Sequence, residues 1–186
     1  MLYVVNRSIA QNVQVRIFAI FGFAVLTAIA AQISIPREPV PITFQVLLVL
    51  LAGLVLGARD GALSQVAYLM GIAANLPIAA NGMGSAAFAG PTAGYLYAFP
   101  IAAAIVGFLA INDSIWLRWM AGLVAVAVIY AIGGAYLKSY LNLSWKAAWT
   151  AGVAPFIVID ILKALLAATL GESGRAFLWY RHRDSV

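Results

Sequence analysis

Long apolar stretches with almost no charge constrain this chain more than any other feature. Between Arg16 and Arg37 no charged residue occurs, and about 20 mostly apolar residues are enough to cross the hydrocarbon core of a bilayer as a helix. Of all 186 residues, 65% are hydrophobic and 9% are charged, whereas soluble domains carry about 25% charged residues. So few polar groups cannot cover a water-facing surface. The sequence therefore excludes a soluble globular domain and predicts an integral membrane protein.

Charges, prolines and glycine turns divide the chain into six apolar segments. Pro36, Pro39 and Pro41 cannot continue a helix and separate the first two segments. The short stretch 57–61 turns the second and third segments into an antiparallel hairpin. The predicted helices cover residues 17–35, 42–57, 62–76, 93–111, 115–137 and 147–170. With a polar N-terminal segment at 1–16 and a cytoplasmic tail at 171–186, they make residues 1–186 a single integral membrane domain of the all-α class.

The distribution of basic residues predicts the orientation, because cytoplasmic loops usually carry an excess of Lys and Arg. Seven arginines fall on the side of the two termini and three basic residues on the other side. The first group is Arg7, Arg16, Arg59, Arg118, Arg175, Arg181 and Arg183, and the second is Arg37, Lys138 and Lys146. Both termini are therefore expected in the cytoplasm. Residues 1–16 contain no long apolar stretch, so no signal peptide is expected.

Two opposite charges, Asp160 and Lys163, lie inside the last apolar segment. A charge within a spanning helix costs at least about 2.5 kcal/mol and normally faces the bundle interior. Residues three apart share one face of a helix. Two interpretations are open and compatible. The pair is either a structural ion pair that fixes helix packing, or a ligand site where Asp160 accepts hydrogen bonds from ligand N–H groups and Lys163 meets an acidic group.

The uncharged, glycine-rich stretch 75–92 is a second candidate binding element. Glycine backbone can approach a small ligand closely, and the amide of Asn81 could address both donor and acceptor atoms of an amide-like ligand. Tyr95, directly after Gly94, could pack over a flat ring. The alternative is an ordinary surface loop. Other polar residues near this end are Gln32 and Gln45, expected as caps or ligand contacts, and Arg37 and Glu38, expected to be solvated.

Several functions lack the residues that they require. There is no cysteine, the single histidine is His182 in the polar tail, and no metal-ligand cluster lies within the apolar segments. General acid and base catalysis would have to rest on one acid and one lysine, so an intramembrane enzyme is the weaker alternative. Scattered basic residues without interleaved aromatics do not predict nucleic-acid binding. No phosphate-binding G-x-x-x-x-G-K-[ST] string occurs.

Small residues recur along the first helix. Ala24 and Ala28, and likewise Thr27 and Ala31, are spaced four apart and leave a smooth face on which another helix can approach closely. Alanine is common in such segments. Packing within the chain is therefore an equal alternative to docking on a partner helix.

Taken in order, these pieces resemble the BioY family, the biotin-specific S components of energy-coupling factor (ECF) transporters. The similarity covers helices one to four and six. It is carried by AQISIP at 31–36, VPITFQ at 40–45, LAG at 51–53 through LG at 56–57, GALSQ at 61–65, YL at 68–69, GPTAGYL at 90–96 and DILK at 160–163. The chain has Asn75 where the family commonly has the glycine of Gly-Leu-Pro, and Ala93 replaces the first glycine of a Gly-Gly pair.

The resemblance implies an S-component-like bundle of six transmembrane helices in a prokaryotic cell membrane. Biotin would be bound near the outer surface, under the loop between helices one and two, with no cofactor or metal. The face of Ala24 and Ala28 would dock on a transmembrane coupling protein driven by two ATPase subunits. The substrate-binding residues expected are Asp160, Lys163, Asn81, Tyr95, Gly94, Gln45 and Tyr68. An S component for a different vitamin is the nearest alternative, and homo-oligomerisation is left open.

Overall fold

The computed structural model describes residues 13–110 and 114–183, with only the backbone of residues 172–183. The described part is mostly helical. The α-helices are α1 (Val13–Gln32), α2 (Gln45–Ala73), α3 (Ala93–Leu109), α4 (Ile115–Tyr140), α5 (Trp145–Gly152) and α6 (Ile157–Arg183). Short 3-10 helices cover Ala80–Gly82, Ser85–Ala89 and Ala154–Phe156. Between α1 and α2, strands β1 (Ser34–Ile35) and β2 (Ile42–Thr43) form a small antiparallel pair.

Four helices are long and apolar enough to cross a membrane by length and composition: Val13–Gln32, Gln45–Ala73, Ile115–Tyr140 and Trp145–Gly171. A shorter apolar helix covers Ala93–Leu109. Large apolar side chains cover the outside of the bundle, among them Phe18 at 79% exposure and Val158 at 69%. Such a surface is stable in lipid and not in water. The described chain is therefore built as an integral membrane protein.

Helix α2 is two helices in one. Gly57 has φ 84° and ψ 177°, so the backbone leaves the helical conformation there, and glycine adopts this positive φ readily because it has no Cβ. The two halves then pack against each other, since a Cβ added to Gly61 would lie 2.8 Å from the Cα of Gly53. The predicted hairpin is confirmed, but its turn is centred on one residue and not on the five predicted.

The prediction of one continuous helix at 147–170 is wrong. The segment divides at Ala154–Phe156, so α5 ends at Gly152 and α6 begins at Ile157. Pro155 explains the break, because proline has no N–H to donate to the carbonyl four residues earlier, that of Ala151. Beyond residue 170, the predicted tail has helical backbone to Arg183. The predicted inner-side residues Arg7, Arg175, Arg181 and Arg183 lie outside the described side chains.

Close approach of α2 and α3 leads to a first prediction. A Cβ added to Gly53 would overlap the carbonyl oxygen of Ala103 and a methyl group of Val106. Gly53→Ala should therefore lower the free energy of unfolding by about 1–3 kcal/mol, the usual cost of overpacking, even though alanine favours helix. Thermal unfolding of the purified chain in detergent measures the change.

Gly22→Ala is the matched control, because nothing lies within 4 Å of a Cβ added to Gly22. This variant should unfold at or above the temperature of the original chain. Equal unfolding temperatures for the two alanine variants would contradict the close packing of α2 on α3.

Candidate functional site

Asp160 and Lys163 form a buried ion pair in the first turns of α6. Their exposed fractions are 2% and 7%, and Lys163 Nζ lies 2.7 Å from Asp160 Oδ1. The Tyr130 hydroxyl of α4 donates to Asp160 Oδ2 at 2.7 Å. Lys163 Nζ also donates to the backbone oxygen of Thr43 in β2 at 2.8 Å. Both charges are thus compensated and fixed by two other elements, as a charge in a membrane interior requires.

The ion pair lies in the wall of a cavity of about 70 Å³ between the helices and the loops that cover them. Its apolar lining consists of Val40, Pro41, Val46, Ala79, Ala80, Met83, Ala87, Leu96, Phe99, Ile129 and Phe156. Its polar lining consists of Thr43, Gln45, Thr92, Tyr95, Tyr130, Asp160 and Lys163. Mostly apolar walls with a few convergent polar groups are typical of small-molecule sites.

A second hydrogen-bond chain supports the neighbouring wall. Thr43 Oγ1 donates to Gln45 Oε1 at 2.9 Å, and Gln45 Nε2 donates to the hydroxyl of Tyr68 at 2.8 Å. Tyr68 donates in turn to the backbone oxygen of Ile78 at 3.2 Å. Gln45 lines the cavity, whereas Tyr68 lies behind it and is 1% exposed. Gln45 therefore lies in the cavity wall and Tyr68 is bonded to it from behind, and the predicted roles of both residues in ligand binding stay predictions.

Tyr95 and Gly94 have different positions although they are adjacent. Tyr95 lines the cavity, and its hydroxyl donates to the backbone oxygen of Gly152 at 2.8 Å. Its ring packs on Gly133, where an added Cβ would overlap it. Gly94 lies against the side chain of Tyr136 and outside the cavity lining. Gly94 therefore allows α3 and α4 to approach, and its predicted role in ligand binding stays a prediction.

Asn81 lies outside the cavity lining as well. It is exposed, has a positive φ of 59° and accepts a hydrogen bond at 3.1 Å from the hydroxyl of Ser34. The glycine loop, defined as residues 75–92, contributes Ala79, Ala80, Met83, Ala87 and Thr92 to the wall. The predicted contact of Asn81 with a ligand stays a prediction.

Arg37 is not merely solvated, which corrects the expectation from the sequence. Its Nη1 donates to the backbone oxygen of Ala151 at 2.9 Å, and its guanidinium lies 5.7 Å from the ring centre of Phe156. Ala151 is the residue whose carbonyl Pro155 leaves without its usual helical donor. Arg37 thus fastens the cap loop, defined as residues 33–44, to the break between α5 and α6. Val40, Pro41 and Thr43 of the cap loop line the cavity.

Tyr130 and Phe156 were missed in the sequence. Tyr130 is the partner of Asp160, and Phe156 contributes both to the cavity wall and to the Arg37 contact. A signal for Tyr130 exists, because it is the one residue with a side-chain hydroxyl between Ala121 and Ala135. No comparable signal marks Phe156, since aromatic residues are frequent in this chain. Among the described residues, no group of three or more His, Cys, Asp or Glu could hold a metal ion.

Comparison with known proteins identifies the family. A sequence model of the BioY family matches residues 7–178, which is most of the chain. The chain belongs to the BioY family. The resemblance drawn from the motifs is therefore confirmed.

Individual BioY relatives match over most of their length. A probable biotin transporter BioY of Pyrococcus horikoshii is 42% identical over 151 residues, covering 81% of this chain and 90% of the relative. The biotin transporter BioY of Thermotoga maritima is 37% identical over 150 residues, covering 80% and 88%. Both are named as transporters and not as enzymes.

A solved structure shares the fold. It is described as the crystal structure at 2.1 Å of the S-component for biotin from an ECF-type ABC transporter, and it matches with a TM-score of 0.81. The match covers 87% of this chain and 90% of that chain at 24% identity. The expected S-component-like fold of this BioY-family chain is confirmed at the level of architecture.

The Arg37 contact leads to a second prediction. In this BioY-family chain, Arg37→Ala should raise hydrogen–deuterium exchange of cap-loop amides by about tenfold or more, because a hydrogen bond from a charged donor is worth about 1.5–3 kcal/mol. Glu38→Ala is the matched control, since Glu38 is the adjacent exposed charge. Exchange that is unchanged in Arg37→Ala, or raised equally in both variants, would show that the Arg37 bond does not hold the cap loop.

Proposed function

We propose that this chain is the substrate-binding membrane subunit of a high-affinity biotin uptake transporter and not an enzyme. The observation that carries the proposal is the cavity with the Asp160–Lys163 ion pair in its wall. The motifs of the BioY family supply part of that wall, because Thr92, Tyr95 and Leu96 come from the GPTAGYL string. The names of the relatives support biotin over another vitamin, which is the nearest alternative.

We infer that the ion pair binds the ureido group of biotin. A ureido group has N–H donors beside a carbonyl acceptor, which matches a carboxylate beside an ammonium group 2.7 Å away. The sequence analysis instead expects Lys163 to meet an acidic group, which in biotin is the carboxylate of the valerate chain. A carboxylate at that position would lie next to Asp160, and like charges at close range repel. The neutral ureido group avoids this repulsion.

The hydrogen-bonding capacity that Asp160 and Lys163 have left also supports binding of the ureido group. An ammonium group has three donors, and among the described residues Lys163 Nζ uses two of them, toward Asp160 and Thr43. A carboxylate accepts more than one hydrogen bond on each oxygen, and each oxygen of Asp160 has one partner given by the structure. A ligand can therefore bind without breaking the pair. The apolar walls, which include Phe99 and Ile129, suit the fused rings of biotin.

The cap loop is the part that must move to admit the ligand. A cavity of about 150 Å³ is the size that takes up benzene, so a cavity of about 70 Å³ is small for a bicyclic vitamin. Three residues of the cap loop line the cavity, namely Val40, Pro41 and Thr43. The loop is held by the bond from Arg37 to Ala151, by the bond from Ser34 to Asn81 and by the bond from Lys163 to the oxygen of Thr43. Release of the bonds at Arg37 and Ser34 would free the outer part of the loop, while Lys163 still holds the loop at Thr43.

We propose that the chain crosses the cell membrane six times with both termini in the cytoplasm. The break at Gly57 divides α2 into two crossings, and the segment Trp145–Gly171 supplies the last one. Arg16 pairs with Asp60 beside Arg59, with Arg16 Nη2 2.7 Å from Asp60 Oδ1, which gathers basic residues at one end. The cap loop then lies at the outer end, and the cavity opens outward.

The partner surface is proposed from α1. Ala24 and Ala28 line an apolar groove of about 660 Å³ between α1 and the second half of α2. Small residues such as Ala24 and Ala28 allow another helix to approach closely in lipid. We propose that the transmembrane coupling protein docks here and that its two ATPase subunits supply the energy.

The proposed function leads to a third prediction. Asp160→Asn and Lys163→Ala should each weaken biotin binding by about 100-fold or more, because removal of one partner leaves a buried charge uncompensated. Leu162→Ala is the matched control on the same helix, since Leu162 is 60% exposed on the opposite face, and it should change the affinity by about twofold at most. Titration of purified protein with a panel of biotin and other vitamins measures both affinity and selectivity.

Thermal unfolding of each variant shows whether it is folded. If the charge variants unfold, Tyr130→Phe removes a single hydrogen bond to Asp160 and should weaken biotin binding by about 5- to 10-fold. Near-normal biotin affinity in folded Asp160→Asn and Lys163→Ala would show that the pair is purely structural. Binding of another vitamin in preference to biotin would assign the chain to that vitamin.

The orientation of the ligand gives a fourth prediction. Biotinamide keeps the ureido group but replaces the carboxylate by a neutral amide. If the ion pair binds the ureido group, Lys163→Ala should weaken biotin and biotinamide by the same factor. A loss confined to biotin would instead place the carboxylate at Lys163, as the sequence suggested.

A further inference from the structure

A second concave site lies on the outside of the bundle, between α4 and α5. This α4–α5 groove has a volume of about 640 Å³. Its α4 wall consists of Tyr130 and four small residues, namely Ala127, Ala131, Gly134 and Ala135. Its α5 wall carries Trp145 and Trp149, which are 66% and 55% exposed. The groove is separate from the groove of α1 and takes no part in the proposed function.

Positive charge marks one end of this groove. Lys146 lines it, and Lys138 Nζ lies 5.2 Å from the ring centre of Trp145. Within 13–110 and 114–171, where side chains are described, Asp60 pairs with Arg16 and Asp160 pairs with Lys163. Neither of these described carboxylates pairs with Lys138 or Lys146. Two ammonium groups beside an apolar groove favour an amphipathic anion as occupant.

The dimensions of the groove match one leaflet of a bilayer. At about 1.5 Å per residue, Ala127 lies about 16 Å from Lys138 along the axis of α4. Half of the hydrocarbon core is about 15 Å thick. Lysine and tryptophan side chains at one end are typical of the level of the lipid headgroups. An acyl chain in the groove would therefore reach from the headgroup level to about the middle of the membrane.

We propose that the α4–α5 groove binds one anionic phospholipid. The phosphate lies at Lys138 and Lys146, and an acyl chain runs along the small residues of α4. Tyr130 lines this groove and the ligand cavity at once, and its hydroxyl donates to Asp160. The bound lipid therefore supports Tyr130 from outside and tightens the hold of the cavity on its ligand. This last step rests on the proposed function, whereas the lipid site does not.

Native mass spectrometry of the purified full chain tests the site. The protein is delipidated in detergent and mixed with equal amounts of phosphatidylglycerol and phosphatidylcholine, and the retained lipid is identified. We expect one phosphatidylglycerol per chain in preference to phosphatidylcholine. The double variant Lys138→Ala, Lys146→Ala should reduce this preference by about 30-fold. The double variant Ala131→Leu, Ala135→Leu should abolish retention, because leucine side chains fill the groove.

Two control variants change the same residue types elsewhere. Arg59→Ala removes an exposed cation away from the groove, and Gly22→Leu adds a leucine on the exposed face of α1. Both should retain phosphatidylglycerol as the original chain does. Equal retention of the two lipids by the original chain would overturn the proposal. Groove variants that still retain the lipid would also overturn it. Groove variants that change only the oligomeric state would overturn it too, and would identify the groove as a contact between copies of the chain.

Biotin titration in nanodiscs tests the link through Tyr130. Biotin should bind more tightly with phosphatidylglycerol present than in phosphatidylcholine alone, and the lysine double variant should lose this difference. Selective lipid retention with equal biotin affinity in both membranes would keep the lipid site and overturn the link. Absence of biotin binding in either membrane would instead count against the proposed function, because lipid retention is measured without biotin.

Discussion

The ion pair between Asp160 and Lys163 is the interaction on which the rest of the structure depends. Neither charge can face lipid without a large cost, so this face of α6 must turn inward, and the opposite face with Leu162 turns outward. The partners of the pair come from α4 and β2, through Tyr130 and the backbone of Thr43. One electrostatic requirement thus sets the rotation of α6, the approach of α4 and the position of the loop over the cavity.

The break before α6 connects this requirement to the rest of the cavity. Backbone carbonyls that lose their helical donors inside a membrane need other donors. Around Pro155 these donors are side chains that belong to the site, since Arg37 donates to Ala151 and Tyr95 donates to Gly152. The cap loop and α3 are therefore fixed to one point of the chain. The break between α5 and α6 is thus the point at which the walls of the cavity are joined.

The sequence predicts those parts of the site that depend on interactions between residues close together in the chain. Asp160 and Lys163 could be found because the cost of a charge in an apolar helix depends on the segment itself, and the proximity of residues three apart follows from helix geometry. The role of Arg37 could not be found, since its acceptor Ala151 is 114 residues away and becomes available only through the break at Pro155. The amide of Asn81 makes this residue a candidate from the sequence, but in the fold Ala79 and Ala80 line the cavity and Asn81 is exposed.

The structural and the ligand-binding interpretations of the ion pair need not exclude each other. A buried pair that is complete before the ligand arrives has already met its desolvation cost during folding. A neutral group with adjacent donors and acceptor then adds hydrogen bonds to a carboxylate and an ammonium group that are held in place by Tyr130 and Thr43. A charged group would instead have to compete with one member of the pair. Under the proposed function, the geometry that stabilises the bundle is also the geometry that favours a neutral, polar ring as the part of the ligand that meets α6.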